Sequence, residues 1–184
     1  ETGFFLKLDK RRPNLTVSES LNAADRLELK TRLADAGMEM PNFYSDVGSK
    51  PDSQRQVFDF AKEMGVETLV AEPPASALDS IEALCEEYSI NLAIHNHPKS
   101  PSSMYWRPEK TLAACEGRGK RFGVCCDTGH WIRSGLDPIE CLQKVAGRIL
   151  TFHLKDVGVW NQPEARDVPL GQGKANYAAV LGEL

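Results

Sequence analysis

The chain has 184 residues, 26% of which are charged, and a formal net charge of −4. The length is enough for one domain with a sizeable core, and the charge lacks the basic excess on which nucleic-acid binding usually depends. No apolar stretch approaches the roughly 20 residues of a membrane span, and the five cysteines show neither disulfide-framework nor zinc-ribbon spacing. We therefore expect a cytoplasmic protein without nucleic-acid or membrane partners.

Short apolar runs alternate regularly with helix-like segments along the chain. The second segment begins with Thr16-Val17-Ser18-Glu19, which has the pattern of a capping box. The predicted strands cover residues 4–8, 38–44, 69–72, 91–95, 122–127 and 149–153. The predicted helices cover residues 16–36, 53–64, 78–88, 108–117, 137–145 and 176–184.

Six strand–helix units of this kind predict an α/β fold. The strands are nearly continuous apolar runs, as expected for a parallel sheet covered on both faces. Polar residues end at least four of the strands and no G-x-G-x-x-G follows any strand, which favours a barrel over a doubly wound sheet. We predict a single domain over residues 1–184 with a (β/α)8 TIM-barrel fold, in which about six units are present and the first and last strands are missing.

The histidines lie where apolar runs break into loops. Two carboxylates, Glu72 and Asp127, hold equivalent positions after their own strands. Because the carboxyl ends of parallel barrel strands converge, these side chains predict one site, most simply a metal site. The four histidines are His95, His97, His130 and His153.

The residues at these strand ends resemble the xylose-isomerase-like TIM-barrel superfamily, which contains the sugar phosphate isomerases and epimerases. The resemblance rests on four segments: Ile94-His95-Asn96-His97, Cys126-Asp127-Thr128-Gly129-His130-Trp131, Phe152-His153-Leu154-Lys155-Asp156, and Asp167-Val168-Pro169-Leu170-Gly171-Gln172-Gly173. It implies that Asp127 and His153 bind a divalent metal ion, namely manganese, cobalt, zinc or magnesium. It also implies that His130 contacts the substrate.

The chain departs from the pattern of that superfamily at two metal ligands. Where the first ligating carboxylate is expected, the sequence has His95, and the last one would lie beyond Leu184. We therefore predict His95, Asp127 and His153 as the metal ligands. Glu72 could supply a base or a further ligand.

Further residues around the strand ends complete the predicted site. The predicted catalytic residues are Glu72, His130 and Lys155, and the predicted substrate-binding residues are His97, Trp106, Trp131 and Arg133. Structural explanations stay open for several of them. Asp127 could cap a helix, Lys155 could pair with Asp156, a tryptophan could pack against a neighbouring helix, and Arg133 could pair with Asp137.

A divalent ion that chelates a sugar through its carbonyl and adjacent hydroxyl would acidify the neighbouring hydrogen, and a base would remove it to give an enediolate. The resulting prediction is a metal-dependent isomerase or epimerase that acts on a small sugar or sugar phosphate. A homo-oligomer is compatible with this prediction. The alternatives are a sugar or inosose dehydratase and a non-catalytic sugar-binding barrel. Net charge and the small number of histidines argue against an abasic-site endonuclease.

Overall fold

The computed structural model describes residues 1–183. The strands are β1 (Thr2–Gly3), β2 (Lys7–Asp9), β3 (Arg12–Thr16), β4 (Asn42–Tyr44), β5 (Thr68–Ala71), β6 (Asn91–His95), β7 (Phe122–Asp127), β8 (Ile149–His153), β9 (Asp156–Val157) and β10 (Asp167–Val168). The helices are α1 (Ala23–Asp35), α2 (Pro51–Met64), α3 (Leu78–Tyr88), α4 (Pro108–Cys115), α5 (Thr128–Arg133), α6 (Pro138–Val145) and α7 (Tyr177–Gly182). Two 3-10 turns cover Ala75–Ala77 and Ala146–Arg148.

Alternating strands and helices confirm the predicted α/β class. The pairs β1–β4, β4–β5 and β7–β8 are parallel, and the strand order of the main sheet is β1-β4-β5-β6-β7-β8. Outside the main sheet, the pairs β2–β3 and β9–β10 are antiparallel. Parallel neighbours separated by a helix are the repeating unit of an α/β barrel.

The chain divides into two compact units, Glu1–Leu92 and Ala93–Leu184, called here the first and second unit. In the first unit, the Phe43 and Phe60 rings lie 5.2 Å apart and both side chains are fully buried. Helix α2 ends at Gly65, whose φ of 74° suits a residue without a Cβ atom. The single domain over residues 1–184 stays a prediction.

The core of the second unit is built around β7. All six residues of this strand are buried, as expected for a strand of a parallel sheet with both faces covered. Trp131 and Ile132 of α5 and Leu142 of α6 are also buried. The rigid strand that ends at Asp127 therefore carries the candidate site.

The prediction for the N-terminal segment is wrong in two respects. The sheet strand is Thr2–Gly3, whereas Phe5 and Leu6 of the predicted strand are exposed and β2 pairs only with β3. The capping box is not formed, because Thr16 is the last residue of β3, bends and turns follow it, and α1 begins only at Ala23. Its N-cap is Asn22, whose side chain accepts a hydrogen bond from the backbone N–H of Asp25.

The later elements follow the prediction closely. Helix α3 has the predicted bounds, and α6 begins after Asp137, whose carboxylate accepts hydrogen bonds from the backbone N–H groups of Ile139 and Glu140. Strands β6, β7 and β8 end at the predicted residues. The last predicted helix is α7 among the described residues, and its expected end at Leu184 lies outside them. No helix between residues 1 and 183 has the length and apolar character needed to cross a membrane.

Candidate metal centre

Three side chains at the ends of β6, β7 and β8 converge on one point in the second unit. The register of β7 and β8 places Asp127 directly opposite His153. Oδ2 of Asp127 lies 3.4 Å from Nε2 of His95 and 3.6 Å from Nδ1 of His153. The two ring nitrogens are 3.0 Å apart. The structure therefore brings together the three predicted metal ligands.

The separations of these three atoms suit a divalent ion. In a tetrahedral zinc site with bonds of about 2.0–2.1 Å, neighbouring ligand atoms lie about 3.3 Å apart. The observed 3.0–3.6 Å brackets this value. Imidazole nitrogen with one carboxylate oxygen is also a donor set that suits zinc, cobalt or manganese. On both counts the residues fit the ion that the resemblance implies.

Asp127 has a structural role as well as its position in the cluster. Its Oδ1 atom accepts a hydrogen bond of 2.9 Å from the backbone N–H of His130, so it is the N-cap of α5. Its Oδ2 atom remains directed at the histidines. The cap fixes the side-chain rotamer, and it also places His130 Nε2 3.4 Å from Oδ2. The structure thus shows the helix cap that the sequence left open, and the role of Asp127 as a metal ligand stays a prediction.

Asn96 holds the backbone of Asp127, and the sequence analysis did not select it. Its side chain donates a 3.0 Å hydrogen bond to the carbonyl of Asp127 and accepts one of 2.8 Å from the backbone N–H of the same residue. Asn96 is buried, whereas His97 is exposed. An amide side chain between two histidines was the available signal, because it can pair with both backbone groups of one residue.

The four histidines form one cluster of rings. The ring centroid of His95 lies 4.8 Å from that of His97, 5.5 Å from that of His130 and 4.7 Å from that of His153. One nitrogen each from His95, His97 and His130 lie within 4.8 Å of one another. Nδ1 of His130 is buried without a hydrogen-bond partner among the described residues.

Lys155 is the cation of the cluster. Its Nζ atom lies 2.7 Å from Oδ2 of Asp127 and 3.5 Å from Nε2 of His130. Thr128 holds its backbone, since the hydroxyl donates to the carbonyl of Lys155 at 2.7 Å and accepts from its N–H at 3.0 Å. Lys155 therefore pairs with the buried carboxylate of Asp127, whereas the sequence left open a pair with Asp156.

Asp156 performs a different task that the sequence analysis missed. Its buried carboxylate accepts four backbone N–H bonds of 2.8–3.0 Å, from Val157, Gly171, Gly173 and Ala175. Burial acts to raise the pKa of this carboxyl, but the four backbone donors outweigh it and leave the pKa below the ordinary 3.8. Asp156 thereby anchors the loop that contains Gly171-Gln172-Gly173.

Burial and neighbouring charges shift the pKa values of Asp127 and His130. Burial alone would raise the pKa of Asp127, but hydrogen bonds from His153 and His95 and the charge of Lys155 hold it well below 3.8. Burial lowers the pKa of His130 to about 3, and the neighbouring Lys155 adds to the effect. At neutral pH the site therefore contains an ionised Asp127 and a neutral His130.

Two of the predicted substrate-binding residues have internal partners. Arg133 donates from Nη2 to Asp167 at 2.7 Å and from Nε to the carbonyl of Ala165 at 2.9 Å, rather than pairing with Asp137. Trp131 is only 1% exposed. Its ring is thus packed inside the second unit, which is the structural alternative stated for the tryptophans.

The other two predicted substrate-binding residues are accessible to solvent. His97 is exposed and Trp106 is half-buried. Lys99 and Arg107 lie 5.2 and 5.1 Å from the Trp106 ring, close enough for cation–π contacts. The role of His97 and Trp106 in substrate binding therefore stays a prediction.

Glu72 is the one predicted catalytic residue in the first unit. It follows β5 directly and accepts a 2.8 Å hydrogen bond from the hydroxyl of Tyr44. The hydrogen bond fixes the carboxylate after the end of its strand, and its catalytic role stays a prediction.

Comparison with solved structures and with curated proteins extends this description. An uncharacterized protein from Parabacteroides distasonis ATCC 8503 is 32% identical, with a TM-score of 0.73 over 100% of this chain and 72% of that one. A D-tagatose 3-epimerase-like protein is 19% identical, with a TM-score of 0.69 over 89% of this chain and 72% of that one. The uncharacterized protein y4fM of Sinorhizobium fredii is 26% identical over 129 residues, and the match spans 70% of this chain and 39% of that protein.

One protein of similar fold was solved with a bound metal. The IOLI protein with a bound zinc atom is 16% identical, with a TM-score of 0.65 over 84% of this chain and 67% of that one. At such identity the likeness concerns the fold alone. The family described as xylose isomerase-like TIM barrel matches residues 3–184, nearly the whole chain. This match confirms the predicted fold class, and the chain belongs to the xylose isomerase-like TIM barrel family.

Proposed function

We propose that this protein is a metal-dependent isomerase or epimerase of a small sugar or sugar phosphate, which acts by proton transfer through an enediolate. The observation that carries the proposal is the convergence of Asp127, His95 and His153, with donor atoms 3.0–3.6 Å apart. Sugar epimerases among the proteins of similar fold support the reaction class. We further propose a cytoplasmic protein that binds no nucleic acid.

His95, Asp127 and His153 would hold the divalent ion. The ion would supply Lewis-acid polarisation of the substrate carbonyl, which makes the neighbouring hydrogen more acidic. Asp127 is prepared for this task, because its α5 cap and its bonds with Asn96 fix the carboxylate before any ion binds. A preorganised ligand loses little freedom on binding.

His130 and Lys155 would contact the substrate beside the ligands. A histidine with a pKa of about 3 is neutral at pH 7, so its ring can donate one hydrogen bond to a substrate oxygen without carrying a charge. The Lys155 ammonium would stabilise negative charge that develops on the substrate. Neither group is a strong base in this state, and we assign the base to Glu72.

Metal content is the first test of this proposal. Wild type, Asp127→Ala, His153→Ala and the control Glu164→Ala should be dialysed identically and measured by elemental analysis. Glu164 is an exposed carboxylate of the second unit. We expect stoichiometric metal in wild type and in the control and strongly reduced metal in the other two. Equal occupancy in wild type and Asp127→Ala would overturn the ligand assignment.

The reaction is tested by hydrogen exchange into sugars. A panel of ketoses, aldoses and their phosphates in D2O should show deuterium incorporated next to the carbonyl, detected by NMR, for the true substrate class. Glu72→Gln should abolish this exchange while the metal remains bound. Release of water with formation of a new C=C or C=O bond would identify the dehydratase instead, and absence of all turnover with retained sugar binding would identify a binding protein.

A further inference from the structure

We propose that the thiolate of Cys125 is a further protein ligand of the metal ion, so that the site combines nitrogen, oxygen and sulfur and prefers zinc or cobalt to magnesium. The inference rests on the proposed function, because it presupposes the ion held by His95, Asp127 and His153. It adds a negatively charged ligand to a site in which His95 stands where the superfamily has its first carboxylate.

The position of Cys125 on β7 is the first argument. Side chains on a strand alternate between faces, so Cys125 shares a face with Asp127, two residues later, and Cys126 points to the other side. The β7–β8 ladder is irregular between Val124 and Cys125. Val124 pairs with Ile149 and Cys125 with Thr151, so the extra residue, Leu150, lies on β8, and Cys125 keeps the alternation of β7.

Distances give the second argument. Sγ of Cys125 and one nitrogen each of His95 and His153 lie within 4.8 Å of one another. Sulfur and nitrogen ligands of a tetrahedral zinc ion lie about 3.6 Å apart, given bonds of about 2.3 and 2.0–2.1 Å. A contraction of about 1.2 Å at most would complete the site. Cys125 is fully buried, so the thiol faces this cluster rather than solvent.

Charge gives the third argument. Oδ2 of Asp127 lies 3.4 Å from Nε2 of both His95 and His130, and Nζ of Lys155 lies 2.7 Å from the same oxygen, so that the ammonium offsets the charge of this carboxylate. Neutral imidazoles contribute no negative charge, so a dication would meet poor compensation. When the ion binds, the thiol loses its proton to solvent and the sulfur forms the bond to the metal. The thiolate then supplies the second negative charge.

This ligand set changes which ion is preferred. Thiolate and imidazole are soft to intermediate donors that suit zinc, whereas magnesium prefers oxygen ligands in octahedral geometry. The proposal therefore predicts sulfur coordination of the bound metal, which neither histidine nor aspartate can produce. That property can be measured on the resting protein without any substrate.

Cobalt(II) is the probe for the test. The metal-free protein should be loaded with Co2+, and near-ultraviolet absorption should be recorded for wild type, Cys125→Ser and Cys126→Ser. Cys126 is the matched control, because it is the adjacent residue, is equally buried, and faces away. We expect an intense sulfur-to-cobalt charge-transfer band in wild type and Cys126→Ser and its loss in Cys125→Ser.

X-ray absorption on the cobalt-loaded wild-type protein keeps the proposal testable if Cys125→Ser fails to fold. A sulfur neighbour at bonding distance would support it. Bound cobalt with only nitrogen and oxygen neighbours would overturn it and leave the proposed function standing. No cobalt binding by wild type would overturn both the sulfur ligand and the metal site.

Discussion

The half-buried ammonium of Lys155 and the fully buried carboxylate of Asp127 form an ion pair in which Nζ lies 2.7 Å from Oδ2. The same oxygen is the one directed at His95, His130 and His153. Lys155 thus already provides this carboxylate with one positive charge. A divalent ion at the cluster must bind next to that charge or displace it, so Lys155 limits the affinity for metal.

Replacing Lys155 by methionine should therefore tighten metal binding. Two unit charges about 4 Å apart repel by about 1 kcal/mol in water and by more near a protein surface, and 1.4 kcal/mol is tenfold in affinity. We expect zinc affinity to rise about tenfold, measured by competition with a chelating dye. Lys174→Met is the control, because it removes the charge of an exposed lysine of the second unit. Unchanged or weaker affinity in Lys155→Met would contradict the competition between the two cations.

The alternation of strands and helices could be predicted from sequence because each element carries its own local signal. Buried parallel strands are continuous apolar runs, and caps such as Asp137 and stops such as Gly65 mark helix boundaries. Strand ends then identify the candidate site, since the carboxyl ends of neighbouring parallel strands lie at the same edge of the sheet. This reasoning requires no knowledge of long-range contacts.

The partners of individual side chains could not be predicted in this way. Lys155 follows His153 by two residues and stands next to Asp156, so sequence favours the neighbouring carboxylate over Asp127, which is 28 residues earlier. The capping pattern Thr16-Val17-Ser18-Glu19 wrongly predicted the start of a helix, because it consists of common residues that also occur together outside helices. Strand β2 has only 3 residues, Lys7 to Asp9, so its alternation is too short to predict a hairpin in place of the helix.

Asp156→Asn should destabilise the protein strongly. An amide offers one acceptor oxygen in place of two, so at least two of the four backbone N–H groups lose their partner, at about 1–3 kcal/mol each. We expect the free energy of unfolding to fall by about 3 kcal/mol in urea titrations at pH 7. Glu164→Gln is the control for loss of one carboxylate charge.

The pH dependence of this contribution has a definite sign. Because the folded pKa of Asp156 lies below the ordinary 3.8, its contribution is fully present above about pH 5 and is lost as the pH falls through the folded pKa. The stability difference between wild type and Asp156→Asn should therefore be constant from pH 5 to 7 and shrink below about pH 4. A difference that grows on acidification would contradict this account.

Gly173→Ala should destabilise the same loop by steric conflict. A Cβ atom at this position would overlap the carboxylate of Asp156 and lie 2.6 Å from the carbonyl oxygen of Val157. Overpacking of this kind costs about 1–3 kcal/mol. Gly147→Ala is a matched control, because its Cβ would meet nothing within 4 Å and its φ is not positive. Thermal melts should show a lower Tm for Gly173→Ala alone, and equal Tm values would mean that the loop moves aside freely.

His130 should make the metal-free protein less stable in mild acid. Burial lowers its pKa from 6.5 to about 3 in the folded state. Below about pH 6.5 the unfolded chain therefore takes up a proton that folded His130 does not, and the free energy of unfolding falls until the pH approaches the folded pKa. Between pH 7 and pH 5 this linkage costs about 2 kcal/mol.

Replacing His130 by asparagine removes the linkage. Wild type and His130→Asn should be unfolded in urea with EDTA present at pH 7 and at pH 5, so that no bound ion contributes. We expect the loss between the two pH values to be about 2 kcal/mol smaller in His130→Asn than in wild type. Equal losses in the two proteins would mean that His130 takes up its proton in the folded state near its ordinary pKa. The neutral ring assigned to the substrate contact would then have to be replaced by a charged one.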